Sequence, residues 1–95
     1  GPYSIRKFEM GQDEKTGRRF PSVKVAITGT KAPRLDSKGV VTGFGPKVIT
    51  VDISEASKPI SKNAMHKAMR LHKPLPGPAQ SIVDRLINEA IAKEP

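Results

Sequence analysis

The sequence predicts an α+β fold: a small, mainly antiparallel sheet over residues 3–53, followed by two C-terminal helices packed on one of its faces. Three observations predict it. Val23, Val25 and Ile27 alternate with Lys24, Ala26 and Thr28, and Ile49, Val51 and Ile53 repeat the pattern, which is the period of a half-buried strand. Ala79, Ile82, Val83, Leu86, Ile87, Ala90 and Ile91 recur instead at helical spacing and form one broad apolar stripe. All the strand patterns precede all the helical ones, and that segregation favours α+β over a doubly wound fold. A winged-helix or helix-turn-helix arrangement is the weaker alternative, because the connector Pro74-Leu75-Pro76-Gly77-Pro78 is unlike the tight turn such motifs use.

In chain order, Tyr3 to Met10 is the first strand, and the slip in apolar parity between Ile5 and Phe8 marks a bulge or irregular edge. Gly11 to Gly17 is a turn cluster in which Gly17 suits a left-handed position. Phe20 to Thr28 completes a β-hairpin. Residues 29–47 carry Gly29, Pro33, Gly39, Gly43, Gly45 and Pro46 and read as a long loop, with at most a short strand at Val40-Val41-Thr42. Val48 to Ile53 is the last strand, and residues 54–60 are a linker. Ser61 can cap a helix from Lys62 to about Lys73, with Ala64, Met65, Ala68, Met69 and His72 on its inner face. Pro74 ends it, and Pro78 suits the first turn of a second helix reaching about Glu94.

Ninety-five residues make one domain with a modest core. Gly1-Pro2 reads as the remnant of a cleaved tag, so residues 3–95 are expected to be one basic domain cut from a longer protein. The chain has no Cys, which rules out disulfides and thiolate chemistry and fits an intracellular place, cytoplasmic or nuclear, rather than secretion. No apolar run approaches the roughly 20 residues that span a bilayer.

Charge is the main functional signal. Seventeen Lys and Arg face nine Asp and Glu, for a formal net charge of +8. Such an excess repels itself in the folded state and calls for an anionic partner. Three basic regions stand out. Lys15, Arg18 and Arg19 lie at the hairpin tip. Lys31, Arg34, Lys38 and Lys47 charge the 29–47 loop against the single Asp36. Lys62, His66, Lys67, Arg70 and Lys73 line the outer side of the first helix with no acid among them. Cations at helical spacing can follow phosphates; the plainer reading of each region is a solvated, solubilising surface. The four aromatics all fall in the strand half, and a domain so poor in them needs most for its core. Tyr3 and Phe44 are the better candidates for stacking on bases.

Catalytic patterns are missing. Gly43-Phe44-Gly45-Pro46-Lys47 matches neither phosphate-loop fingerprint, and a strand rather than a helix follows it. His66 and His72 are six residues apart, which is not a same-face metal pair. No carboxylates are paired as metal-ion nucleases require. No enzyme, metal or cofactor is therefore expected. The expected function is non-catalytic binding of DNA or RNA within a larger replication, transcription, recombination or RNA-handling protein. The alternative is a protein-interaction or assembly module, docking another protein or a second copy through the 79–91 stripe. Attachment to an anionic membrane is disfavoured, because the first helix offers mostly Ala and Met on its apolar side.

Overall fold

The computed structural model describes residues 1–95. Three strands, β1 (Tyr3–Gln12), β2 (Arg19–Leu35) and β3 (Val41–Asp52), form one antiparallel sheet in the order β1-β2-β3. A 3-10 turn (Ser54–Ser57) leads to helix α1 (Lys62–Leu71) and then α2 (Gly77–Ala92). Both helices follow the complete sheet, so the α+β expectation holds and no winged-helix order is present.

Alternation along the strands decides which face is covered. Phe8, Val23, Val25, Val51 and Ile53 point into a single core with Met65, Ala68 and Met69 of α1 and Ala79, Val83 and Ile87 of α2. Lys7, Lys24 and Thr50, which stand side by side in the register, are exposed on the opposite face. The sheet therefore has one helix-covered face and one open face, as its half-polar alternation requires. The only buried polar residue is Ser22, whose hydroxyl donates to the Glu9 carbonyl at 2.9 Å.

The parity slip in β1 is a real bulge: the register shifts between Ile5 and Lys7, leaving Arg6 as the extra residue. The Asp13 carboxylate accepts from the Lys15 and Thr16 amides, and Gly17 takes a left-handed φ of 73° to close the turn. Ser61 caps α1 through a 3.1 Å bond from the Ala64 amide to its hydroxyl. Pro78 lies in the first turn of α2. Leu75, between the two helices, is buried in the core and fixes their connector.

Two expectations need correction. Residues 29–47 are not a loop. β2 continues to Leu35 and pairs with β3 from Val41, so only a short turn separates two long strands. A register shift between Ile27 and Ala32, with Gly29 at a φ of 82°, absorbs the break that the glycine announces. Pro46 is tolerated because β3 is an edge strand. His72 is not on the inner face of α1. It is exposed, takes a left-handed φ of 55°, and ends the helix, with the Lys73 amide turning back to the Ala68 carbonyl. Pro74 disfavours helix at the residue before it, which is why α1 stops here and not at Lys73. Ahead of β1, the Pro2 carbonyl accepts from the Thr28 amide at 3.0 Å.

The apolar stripe of α2 lies on its own sheet. Ala79, Val83 and Ile87 are fully buried, and Ile82, Leu86, Ala90 and Ile91 pack against the core at its margin. No helix is long and apolar enough to cross a membrane.

Candidate nucleic-acid interface

The structure sorts the seventeen cations by partner. Lys7, Arg18, Lys24, Lys47 and Arg85 each have a carboxylate within 4.0 Å. The remaining twelve do not, and all of α1's are among them. Lys62, His66, Lys67 and Arg70 are exposed on the helix, and Lys73 follows it. Met65, Ala68 and Met69 occupy the core side, so the amphipathic spacing turns every cation outward.

The hairpin tip and α1 share one end of the molecule. Arg19, Lys62 and His66 line a cavity of about 280 Å³ whose apolar wall includes Met10 and Met65. At the other end of α1, His72 and Pro74 meet Ile5 and Phe8. The helix therefore runs back along β1, with Lys62 and His66 nearest the tip and Lys67 and Lys73 lining a separate hollow beside Pro74 and Pro76. Lys15 is exposed at the tip itself. Arg18 is less free: it donates to Asp52 at 2.8 Å and lies over the Phe20 ring, 4.9 Å from its centre. Gly11 makes room for that ring, since a Cβ there would stand 2.7 Å from it.

Desolvation works to raise the Asp52 carboxyl, but the Ser54 hydroxyl, the Arg18 guanidinium and the Ser54 amide outweigh it and hold it below its ordinary value of 3.8. The Thr16 and Lys15 amides, with Arg18 nearby, hold Asp13 low as well. A carboxyl lowered in the folded state stabilises the fold while ionised. That contribution is complete above the ordinary value and is lost as pH falls through the lower folded one. Asp52→Asn is therefore expected to melt below wild type at pH 7, with the gap closing as pH falls below the ordinary carboxyl value of 3.8. A gap that stays constant over this range would show that the Asp52 ion pair adds nothing to stability.

Lys31, Arg34 and Lys38 lie elsewhere. β1 pairs no further than Tyr3 with Ile27, so residues 29–46 form an arm beyond the sheet, at the end opposite the tip, two-stranded from Ala32 with Gly45 to Leu35 with Val41. The longest dimension of the molecule is 41 Å. The tip and α1 are thus brought together, and the arm forms a second basic surface. Lys47, at the base of the arm, is tied to Glu94 of the C-terminus at 3.0 Å.

Of the two stacking candidates, only Phe44 presents an open ring. It is exposed, with the Lys31 ammonium 5.4 Å from its centre. Tyr3 packs against the core, and its hydroxyl donates to Asp84 at 3.0 Å. Burial, followed by the bond to Asp84 and that residue's charge, raises its pKa. Arg6 is a cation that sequence reasoning did not single out. It lines a depression of about 370 Å³ on the open face with Ser4, Thr28, Thr30 and Pro46. The parity slip at Ile5–Phe8 was its signal, because a bulge turns one extra side chain outward.

No group of three or more His, Asp or Glu side chains converges on a common point. No family model matches the chain, and no curated protein or solved structure is similar to it.

Proposed function

We propose that this domain binds nucleic acid without catalysis, through phosphate contacts from the hairpin tip, α1 and the arm. One observation carries the reading: the cations of α1 are exposed, free of acids and unpaired, and the first of them, Lys62 and His66, meet Arg19 at the tip. Exposed cations on a solubilising surface are ordinarily interspersed with carboxylates, as Arg85 of α2 is with Glu89 on the same helix and Glu55 in the 3-10 turn. A row without them concentrates positive potential along one side and suits a line of phosphates. The protein-interaction alternative has less support from α2, whose stripe is engaged in its own core.

Fluorescence anisotropy against duplex DNA, single-stranded DNA and RNA, at 50 and 200 mM salt, tests the reading. Engagement of about five phosphates gives a log–log salt slope near −4.5, or a loss of about 500-fold between the two conditions. Absence of binding to all three at low salt would refute the proposal.

A further inference from the structure

The arm differs from the rest of the surface. Leu35, Val40, Val41 and Phe44 are 59, 57, 51 and 64% exposed, and they cluster on one two-stranded element. A two-stranded ribbon is marginal on its own, and apolar side chains gathered there mark a contact surface rather than a packing one. The same element carries Lys31, Arg34 and Lys38. Its single acid, Asp36, is turned to the backbone, where its carboxylate accepts from the Lys38 and Val40 amides at 2.8 and 2.9 Å.

The arm is also braced. The Thr30 hydroxyl donates to the Ile27 carbonyl and accepts from the Lys47 amide, which stitches the bulge at the arm's base. Arg34 donates to the Pro46 carbonyl at 2.7 Å and lies across Gly45, where a Cβ would meet its guanidinium at 2.6 Å. These contacts hold the ribbon in shape without any support from the core.

Building on the nucleic-acid reading above, we propose that the arm enters the major groove of B-form duplex DNA. The major groove is about 12 Å wide and admits a two-stranded ribbon, whereas the minor groove is about 6 Å wide and does not without deformation. The major groove of A-form RNA is too narrow and deep for side chains to enter. A ribbon that is both apolar and cationic meets both parts of a groove. Phe44, Leu35 and Val41 suit base edges and thymine methyls, while Lys31, Arg34 and Lys38 suit the flanking phosphates. A flat stacking platform for single strands would need several aromatics, and the arm has one.

The full chain is mixed with a 20-base-pair DNA duplex and probed with dimethyl sulfate, which methylates guanine N7 in the major groove and adenine N3 in the minor. Protection of N7 with N3 left reactive is the expected result, together with at least about 10-fold weaker binding to an RNA duplex of the same sequence. Lys31→Ala with Phe44→Ala should weaken duplex binding by about 10-fold or more and remove N7 protection, while the melting temperature holds. Because Arg34 braces the arm, it is left intact in this variant, and Lys31→Ala with Lys38→Ala provides a second that removes charge alone. Protection of N3 in place of N7, equal affinity for the RNA duplex, or arm variants of wild-type affinity would overturn the groove assignment and leave nucleic-acid binding standing. Binding to poly-glutamate as tight as to duplex at equal salt would overturn it in favour of an acidic protein partner. Failure to bind any nucleic acid would remove both proposals.

Discussion

Ile87→Asp is expected to leave the domain unfolded at 25 °C. Ile87 is fully buried, in the same cluster as Val23, Val51 and Val83, where both helices meet the sheet. Loss of a buried aliphatic side chain of this size costs about 2–5 kcal/mol. The carboxyl that replaces it must then be buried without a partner, because the surrounding cluster is apolar, and this adds about 2 kcal/mol or more even if the group takes up a proton. A domain of 95 residues has only about 5–14 kcal/mol in total, at roughly 0.05–0.15 kcal/mol per residue. A short chain with a modest core lies toward the low end of that range. Far-UV circular dichroism and a urea titration check the result. Ser81→Asp, on the exposed side of the same helix, is the control and should melt with wild type. A cooperative transition for Ile87→Asp close to that of wild type would mean that α2 does not pack as described. Leu86, which sits at the margin of the core and is half-buried, should give a smaller loss with the same substitution.

That contrast shows what the pattern of residues reveals and what it does not. Period separates strand from helix, and it located β1, the start of β2, the end of β3 and both helices. It also places Ile82, Leu86 and Ile87 on one stripe. Period alone cannot rank them, because the depth of each depends on where the sheet lies under α2. The arm is hidden from the pattern for a different reason. Gly29, Pro33, Gly43, Gly45 and Pro46 each break a strand that must be paired on both edges and packed on one face. In a two-stranded arm beyond the core, one bulge absorbs Gly29, Pro46 lies on an edge strand, and Gly45 gives Arg34 a surface to lie on. Composition near a chain segment thus signals where ordinary strands fail, but only the three-dimensional setting shows that an unusual one persists. The site was legible in part. Net charge and an acid-free helix are properties of the sequence, whereas the meeting of Arg19 with Lys62 and His66, and the separation of the arm from them, follow from the path of β2. Ion pairing is equally invisible in one dimension: Arg18 finds Asp52 and Lys47 finds Glu94 across long sequence distances.

Replacing Lys62, Lys67 and Arg70 together with Ala is expected to lower affinity for nucleic acid by roughly 100-fold or more at 0.1 M salt, and to reduce the magnitude of the log–log salt slope by about 2.7. The three side chains are exposed and form no ion pair, so the fold loses no salt bridge with them. Ala is the best helix former, which offsets the small loss of the favourable Arg70 charge in the last turn of α1. Circular dichroism and melting temperature should therefore match wild type, so that weaker binding reports on the interface and not on stability. Lowering the net charge from +8 would itself reduce attraction to any polyanion, and a second variant separates that general effect from a local one. Arg85→Ala with Lys93→Ala removes one charge from α2 and one from the residue that caps it, both outside the acid-free row, and should weaken binding by less than about 10-fold with little change in slope. If the α1 variant binds as wild type does, α1 is not part of the interface, and the arm is left as the main contact. If the α1 and α2 variants lose affinity in equal proportion to the charge removed, the attraction is that of the whole molecule's field, with no row of phosphate contacts along α1.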